Sequence, residues 1–288
     1  MRIVIDYQCA YGKPTGIGVF AKTLISGIRK QAPEIKLLCY ANSDREDLNT
    51  LERMTWESFY IPLKTIFDKP NAIYSPGFAS PVFSPVPKVV TVHDLIGVLY
   101  PENQGKVSAF YWSQWLPFSL KRAHKLIASS QATKRDMEQI LKLSESRIEV
   151  VPLGAEDCFR IIKDKKKIES VLSKYKINYS YFITVGTLEP RKNILRLIQA
   201  YEVSKLRKAN CHLLIVGKSG ISEALIKKYI KEKNLNSFVH LLGYIDNEEL
   251  VCLYNKAIGY ITASLYEGFG LPALEAMSSG ISGISSLL

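Results

Sequence analysis

The chain has 288 residues, 47% of them hydrophobic and 23% charged, an ordinary globular composition that excludes a disordered, collagenous or mainly fibrous protein. Single hydrophobic cores stop growing near about 250–300 residues, so two domains are expected. The net charge of +11 is diffuse: 19 basic against 14 acidic side chains in residues 1–150, and 19 against 13 in residues 151–288. Such a surface suits phosphorylated ligands or anionic lipid. No recognition motif or basic tail makes nucleic acid an expected partner. No run approaches the roughly 18 apolar residues of a spanning helix. The start, Met1-Arg2-Ile3-Val4-Ile5-Asp6, reads as a strand, being too short and too soon acidic for a secretory leader. The cysteines at 9, 39, 158, 211 and 252 are odd in number and form no CxxC pair. They are expected to be free, buried thiols of a cytoplasmic protein.

Apolar runs then alternate with segments of helical period. Strands are predicted at Arg2–Asp6, Lys36–Tyr40, Asn71–Ser75, Lys88–His93, Leu126–Ser129 and Arg147–Val151, separated by helices at Gly16–Arg29, Val107–His124 and Gln131–Leu141. The second half continues with strands at Tyr181–Val185, His212–Val216, Val239–Leu241 and Gly259–Thr262. Its helices are expected at Lys165–Tyr175, Asn193–Lys205, Glu223–Lys233, Asn247–Lys256 and Leu271–Ser278. This grammar means an α/β protein whose parallel sheets are covered on both faces. Strand grammar lapses between about Gly154 and Lys165, which divides the chain into domains 1–158 and 159–288.

Open parallel sheets bind ligands beyond the carboxyl ends of their strands. The segments there are rich in glycine and polar residues. Gly16 and Gly18 open a helix after the first strand, where a backbone can approach a phosphate or make a plain tight turn. His93-Asp94 ends the fourth strand. Arg191 and Lys192 follow Pro190 at a helix start, where cations oppose the macrodipole unless an anion is present. A flat guanidinium beside a point charge suits a diphosphate. Glu267 and Glu275 flank the Gly268-Phe269-Gly270-Leu271-Pro272 turn, as carboxylates that accept sugar hydroxyls around a helix start that faces an anion.

Ser264-Leu265-Tyr266-Glu267-Gly268-Phe269-Gly270-Leu271-Pro272-Ala273-Leu274-Glu275-Ala276-Met277 resembles the signature of the retaining nucleotide-sugar glycosyltransferases of family 4, whose fold is GT-B. Thr15-Gly16-Ile17-Gly18, Val92-His93-Asp94-Leu95, Ser129 to Asp136, Val151-Pro152-Leu153-Gly154 and Gly186 to Asn193 resemble further family segments in order and spacing. The resemblance implies two Rossmann-like domains facing a central cleft. It implies that Arg191 and Lys192 bind the donor diphosphate, that Glu275 holds the ribose, and that Glu267 contacts the transferred hexose. Phe269, Gly270 and Leu271 would offer backbone N–H groups, Gly16 and Gly18 would lie near the phosphates, and His93 near the reacting carbon. His93 and Glu267 are thus the expected catalytic residues. No Asp-x-Asp motif is present: Glu46-Asp47 and Glu248-Glu249 are adjacent pairs, expected at the surface. Metal-independent transfer without a cofactor is expected.

Two features depart from the family. Thr187 stands where some relatives have Arg, so Arg191 and Lys192 carry the phosphate alone. After Gly280-Ile281 the letters lose register, and the second domain is expected to be incomplete and marginal, with Leu213, Ile215, Ile258 and Ile261 poorly protected. Phe110, Tyr111, Trp112, Trp115 and Phe118 beside Lys121 and Arg122 read either as core or as a face toward a membrane or lipid-linked acceptor. The expected function is hexose transfer, with GDP-mannose as first donor, to a glycan or lipid-linked acceptor. It would take place in the cytoplasm or peripherally on the inner face of the membrane. The alternatives are an inactive GT-B binding or scaffold protein and a GT-B sugar-nucleotide epimerase.

Overall fold

The computed structural model describes residues 1–12, 16–45, 48–100 and 105–285. They form two compact units, Met1–Leu153 and Gly154–Leu288. The division falls a few residues before the expected 158/159 boundary. The reason is packing: Ala155 and Cys158 pack against the second unit's core, and the Asn247 amide donates to Glu156 (3.0 Å).

The first unit is one parallel sheet of β1 (Arg2–Asp6), β2 (Lys36–Tyr40), β3 (Ala72–Ser75), β4 (Lys88–Val92), β5 (Lys125–Ala128) and β6 (Ile148–Val150), in the order β2-β1-β3-β4-β5-β6. Its helices are α1 (Gly16–Gln31), α2 (Thr50–Thr55), α3 (Ile61–Asp68), α4 (Ile96–Leu99), α5 (Lys106–Phe110), α6 (Leu116–Lys121) and α7 (Gln131–Gln139). Single π turns, Trp56–Tyr60 and Tyr111–Trp115, join α2 to α3 and α5 to α6. The sequence reading misses α2 to α4. Residues 56–67 are apolar on every side, so no single hydrophobic stripe marks a helix. Asn49 nonetheless starts α2 with a reciprocal capping box to Glu52.

The second unit is a parallel sheet of β7 (Ser180–Val185), β8 (Cys211–Val216), β9 (Val239–Gly243), β10 (Gly259–Thr262) and β11 (Gly283–Ser285), in the order β11-β10-β7-β8-β9. Its helices are α8 (Lys165–Lys174), α9 (Ile194–Val203), α10 (Glu223–Glu232), α11 (Asn247–Lys256) and α12 (Leu271–Ser278). β8 is central and buried at every position, as a strand covered on both faces must be. Asp164 and Asp246 cap α8 and α11. Strand order reverses between β7 and β10, so ligands are expected beyond their carboxyl ends.

Two expectations are corrected. Leu213 and Ile215 are not poorly protected: each is 1% exposed, because α9 and α10 cover that face of the sheet. Ile258 is exposed, as expected. A strand not read from the sequence, β11, pairs in parallel with β10. The aromatic run 110–118 does not form one outward face. Tyr111 is buried, and Trp112 packs edge-on against Phe78 (centroids 4.9 Å). Phe110 and Phe118 stay exposed. Among the described residues no helix is long and apolar enough to cross a membrane.

Candidate functional site

In the second unit the loops that leave β7, β8 and β10 are tied into one surface. The Gly186 amide donates to the Val216 carbonyl (2.9 Å), Leu188 to Lys218 (3.1 Å) and Leu265 to Arg191 (2.8 Å). Two glycines allow this closeness. A Cβ on Gly217 would lie 2.0 Å from the Gly186 carbonyl oxygen, an impossible contact. A Cβ on Gly186 would lie 2.9 Å from Cε of Lys192, so the lysine stem crosses the space that this glycine leaves open.

Pro190–Lys192 form a 3-10 turn, and Asn193 takes a left-handed conformation (φ 53°) before α9 begins. The cations are therefore in the turn that enters α9, one step before the helix start expected from the sequence. Lys192 is buried, yet its Nζ reaches the carboxylate of Glu267 at 2.5 Å. Arg191 lies 3.6 Å from the other oxygen of Glu267 and 3.1 Å from Glu189. A buried ammonium needs such a partner. The carboxylate of Glu267 occupies the place of an anion among these cations.

Beyond Glu267 the chain turns through Gly270 (φ 87°) into α12. Among the described residues no side chain caps this helix, and Pro272 brings no N–H. Ala273 and Leu274 turn back to the Gly270 carbonyl, so the donors at this end are the amides of Phe269, Gly270 and Leu271. Together with the helix dipole they favour an anion. Glu275 stands half-buried on α12 with the Tyr254 hydroxyl 3.5 Å from its Oε2. Burial, with the nearby Glu156 carboxylate, pushes its pKa up to about 7 against the opposing pull of Tyr254 and Lys192. The structure thus gathers Arg191, Lys192 and Glu267 directly and sets Phe269, Gly270, Leu271 and Glu275 on the adjoining helix start.

Gly16, Gly18 and His93 belong to the first unit. Gly16 is exposed and Gly18 buried at the start of α1; Thr15 of the same motif and the Glu46-Asp47 pair lie outside the described residues. His93 is buried beyond β4, edge-on to Phe20 of α1 (centroids 4.8 Å). Its Nε2 lies 2.8 Å from the Pro76 carbonyl. A carbonyl only accepts, so Nε2 carries the proton and Nδ1 is the acceptor of the neutral ring. Burial holds its pKa below the usual imidazole value. Its own carbonyl accepts from Ser129 Oγ (2.6 Å) and Thr133 Oγ1 (3.2 Å). The Ser129 to Asp136 segment thereby fixes the backbone of His93.

Sequence reasoning missed a charged cluster at the end of β1. Asp6 accepts from Trp56 Nε1 (3.1 Å), and Glu57 from the Tyr111 hydroxyl (3.2 Å). Burial pushes both carboxyls up, Glu57 to about 8, against the pull of Arg53. They line a small pocket of about 10 Å³, room for one water. Only the position of Asp6 at a strand end signalled it. Glu248 and Glu249 pair with Lys167 and Lys174 on the surface. Among the described residues no group of three or more His, Cys, Asp or Glu is placed to share a metal ion.

Residues 14–157 match the family described as Glycosyltransferase Family 4, and residues 165–286 that described as Glycosyl transferases group 1. The chain is 30% identical to O-antigen chain mannosyltransferase B of Escherichia coli, over 67% of its own length and 51% of that protein. It spans about half or less of the length of the curated relatives it matches. In structure it is similar to WaaG, a glycosyltransferase involved in lipopolysaccharide biosynthesis (TM-score 0.68, 14% identity, 99% of this chain and 80% of that one). It is equally similar to Anabaena HepE in complex with UDP-glucose (TM-score 0.67, 17% identity, 99% and 80%). Two open parallel α/β sheets are the GT-B architecture of these neighbours, and with the sequence matches they show that the chain belongs to glycosyltransferase family 4.

Proposed function

We propose that this chain carries the donor site and transfer machinery of a retaining hexosyltransferase that moves a sugar from a nucleotide donor, first GDP-mannose, to a glycan or lipid-linked acceptor of a surface polysaccharide. The mannosyltransferase named above supports the sugar and the acceptor class. The observation that carries the reading is the pairing of buried Lys192 with half-buried Glu267, beside Arg191 and an uncapped helix start. Departure of a nucleoside diphosphate creates negative charge, and fixed cations and N–H dipoles stabilise it. The diphosphate takes the place of the Glu267 carboxylate as partner of Lys192. Glu267 is then free to accept hydroxyls of the hexose. Glu275 accepts the ribose hydroxyls, and neutral His93 stands by the sugar. The acceptor attacks on the face from which the diphosphate leaves, so no protein nucleophile takes part. The place of action is the cytoplasm, which the five free thiols fit.

Lys192→Ala is expected to weaken GDP or UDP binding by about 1.5–3 kcal/mol, the usual worth of a charged hydrogen bond. Calorimetric titration checks it, and unchanged affinity removes Lys192 from the site. Transfer is expected to be metal-independent, so turnover of radiolabelled donor should survive EDTA. Loss on chelation, restored by Mn²⁺ or Mg²⁺, would overturn that part. Binding without turnover would favour the scaffold alternative.

A further inference from the structure

The two π turns of the first unit, Trp56–Tyr60 and Tyr111–Trp115, lie in different helical segments and converge on one place. Trp56 and Glu57 of one turn, with Tyr111 and Trp115 of the other, gather at the carboxyl end of β1 around Asp6. Single π turns are rare and concentrate at functional sites. The cluster sets two carboxyls, Asp6 and Glu57, against one cation, Arg53. The other titratable groups that face it are Cys9 and Tyr111, and burial pushes both up, Cys9 to about 12. Two ionised carboxylates would leave one negative charge uncompensated away from water. Asp6 accepts from Trp56 Nε1 (3.1 Å) and from the Gln8 amide (3.3 Å). Glu57 accepts only on Oε1, from the Tyr111 hydroxyl (3.2 Å); its Oε2 is buried without a hydrogen-bond partner among the described residues. Glu57 is therefore the carboxyl that keeps a proton, and burial raises its pKa to about 8.

Two chains of contact lead from Glu57 to His93. The small pocket that Asp6 and Glu57 line is also walled by Gly77, and the carbonyl of the adjoining Pro76 accepts Nε2–H of His93 (2.8 Å). Along the other route, Tyr111 packs edge-on against Trp112 (centroids 5.5 Å), Trp112 against Phe78 (4.9 Å) and Phe78 against His93 (6.0 Å). Phe78, where both routes arrive, has a left-handed backbone (φ 46°), which a bulky side chain adopts only where its surroundings impose it. A contiguous network carries a change when one of its members has two states. Glu57, protonated or ionised, is such a member. We propose that Glu57 is a positioning residue, neutral while the site works, whose ionisation moves the 76–78 turn and with it the ring of His93. The inference rests on the proposed place of His93 beside the sugar.

Proton–nitrogen correlation spectra of the histidine rings, recorded on the whole chain as pH is raised, test the coupling without any need for turnover. The His93 signals, identified by their loss in His93→Gln, should step at about pH 8. That lies above the range in which the ring itself titrates, since burial holds its pKa below the usual imidazole value. Glu57→Gln, which fixes the neutral form, should abolish the step. Tyr111→Phe removes a donor that favours the carboxylate, so the step should move to higher pH. Turnover of the wild type should fall about tenfold per pH unit above the step, and that of Glu57→Gln should not. Absence of the step in the wild type, or its persistence in Glu57→Gln, would overturn the proposal, and an unmoved step in Tyr111→Phe would do the same. A Glu57-dependent step in a chain that transfers no sugar would support the coupling and count against the transferase reading alone.

Discussion

Both units place polar residues at the ends of their strands and use them differently. In the first unit, Ser129 and Thr133 hold the carbonyl of His93, and Pro76 holds its ring. In the second, Arg191, Lys192 and Glu267 pair across 75 residues of chain on a half-open surface, over a backbone that glycine lets close up. A polar residue after a strand therefore signals two things. Where its side chain donates to a backbone carbonyl of a neighbouring loop, as Ser129 and Thr133 do to His93, it fixes that loop. Where its partners are charges that a ligand can replace, it forms a candidate site.

The contrast can be broken most forcefully at Gly217. Gly217→Ala drives a methyl into the Gly186 carbonyl, so the loops under Lys192 must shift. The expected cost is about 3 kcal/mol of stability together with a loss of nucleotide binding of more than about tenfold. Denaturant melts and nucleotide titration check both. Retained binding would show that the close approach does not position Lys192.

The first unit should lose stability without losing nucleotide affinity. Ser129→Ala with Thr133→Ala removes the two side-chain donors to the buried His93 carbonyl. The expected effect is about 2 kcal/mol of destabilisation with nucleotide affinity unchanged. A parallel drop in affinity would mean that this segment belongs to the donor site.

The smallest effect is a titration. With its pKa raised from 4.5 to about 7, Glu275 holds more protons folded than unfolded between those values. Its contribution to stability therefore declines as pH rises from 4.5 to about 7. Binding runs the other way: ribose hydroxyls prefer the carboxylate, so nucleotide affinity should rise through about pH 7. Glu275→Gln should flatten that rise. Affinity independent of pH in the wild type would remove Glu275 from the ribose.

Much of this was legible in the sequence. Strands such as Lys36–Tyr40 and Gly259–Thr262 agree residue for residue with the structure, because apolar runs bounded by Gly, Pro and polar pairs have one reading. Residues 50–68 were not legible, since a helix that is apolar on both faces lacks the period that reveals helices. The same two-sidedness leaves Leu63, Ile66 and Phe67 of α3 exposed. At the site, the residue types were legible and their partners were not. Nothing local to Lys192 says that it is buried or that Glu267 neutralises it. Nothing around Trp56-Glu57 announces a buried acid, since that acid is defined by Asp6 and Arg53, which the fold brings to it.

In the proposed site the donor diphosphate replaces Glu267 as the partner of Lys192. Titration of bare GDP and UDP into Glu267→Gln tests it most directly. Removing the competing carboxylate should tighten the diphosphate about three- to tenfold, while sugar transfer from the intact donor is lost. Weaker binding of the bare diphosphate to Glu267→Gln would contradict the account, because Glu267 would then be holding the cations in place for the phosphate instead of standing in for it.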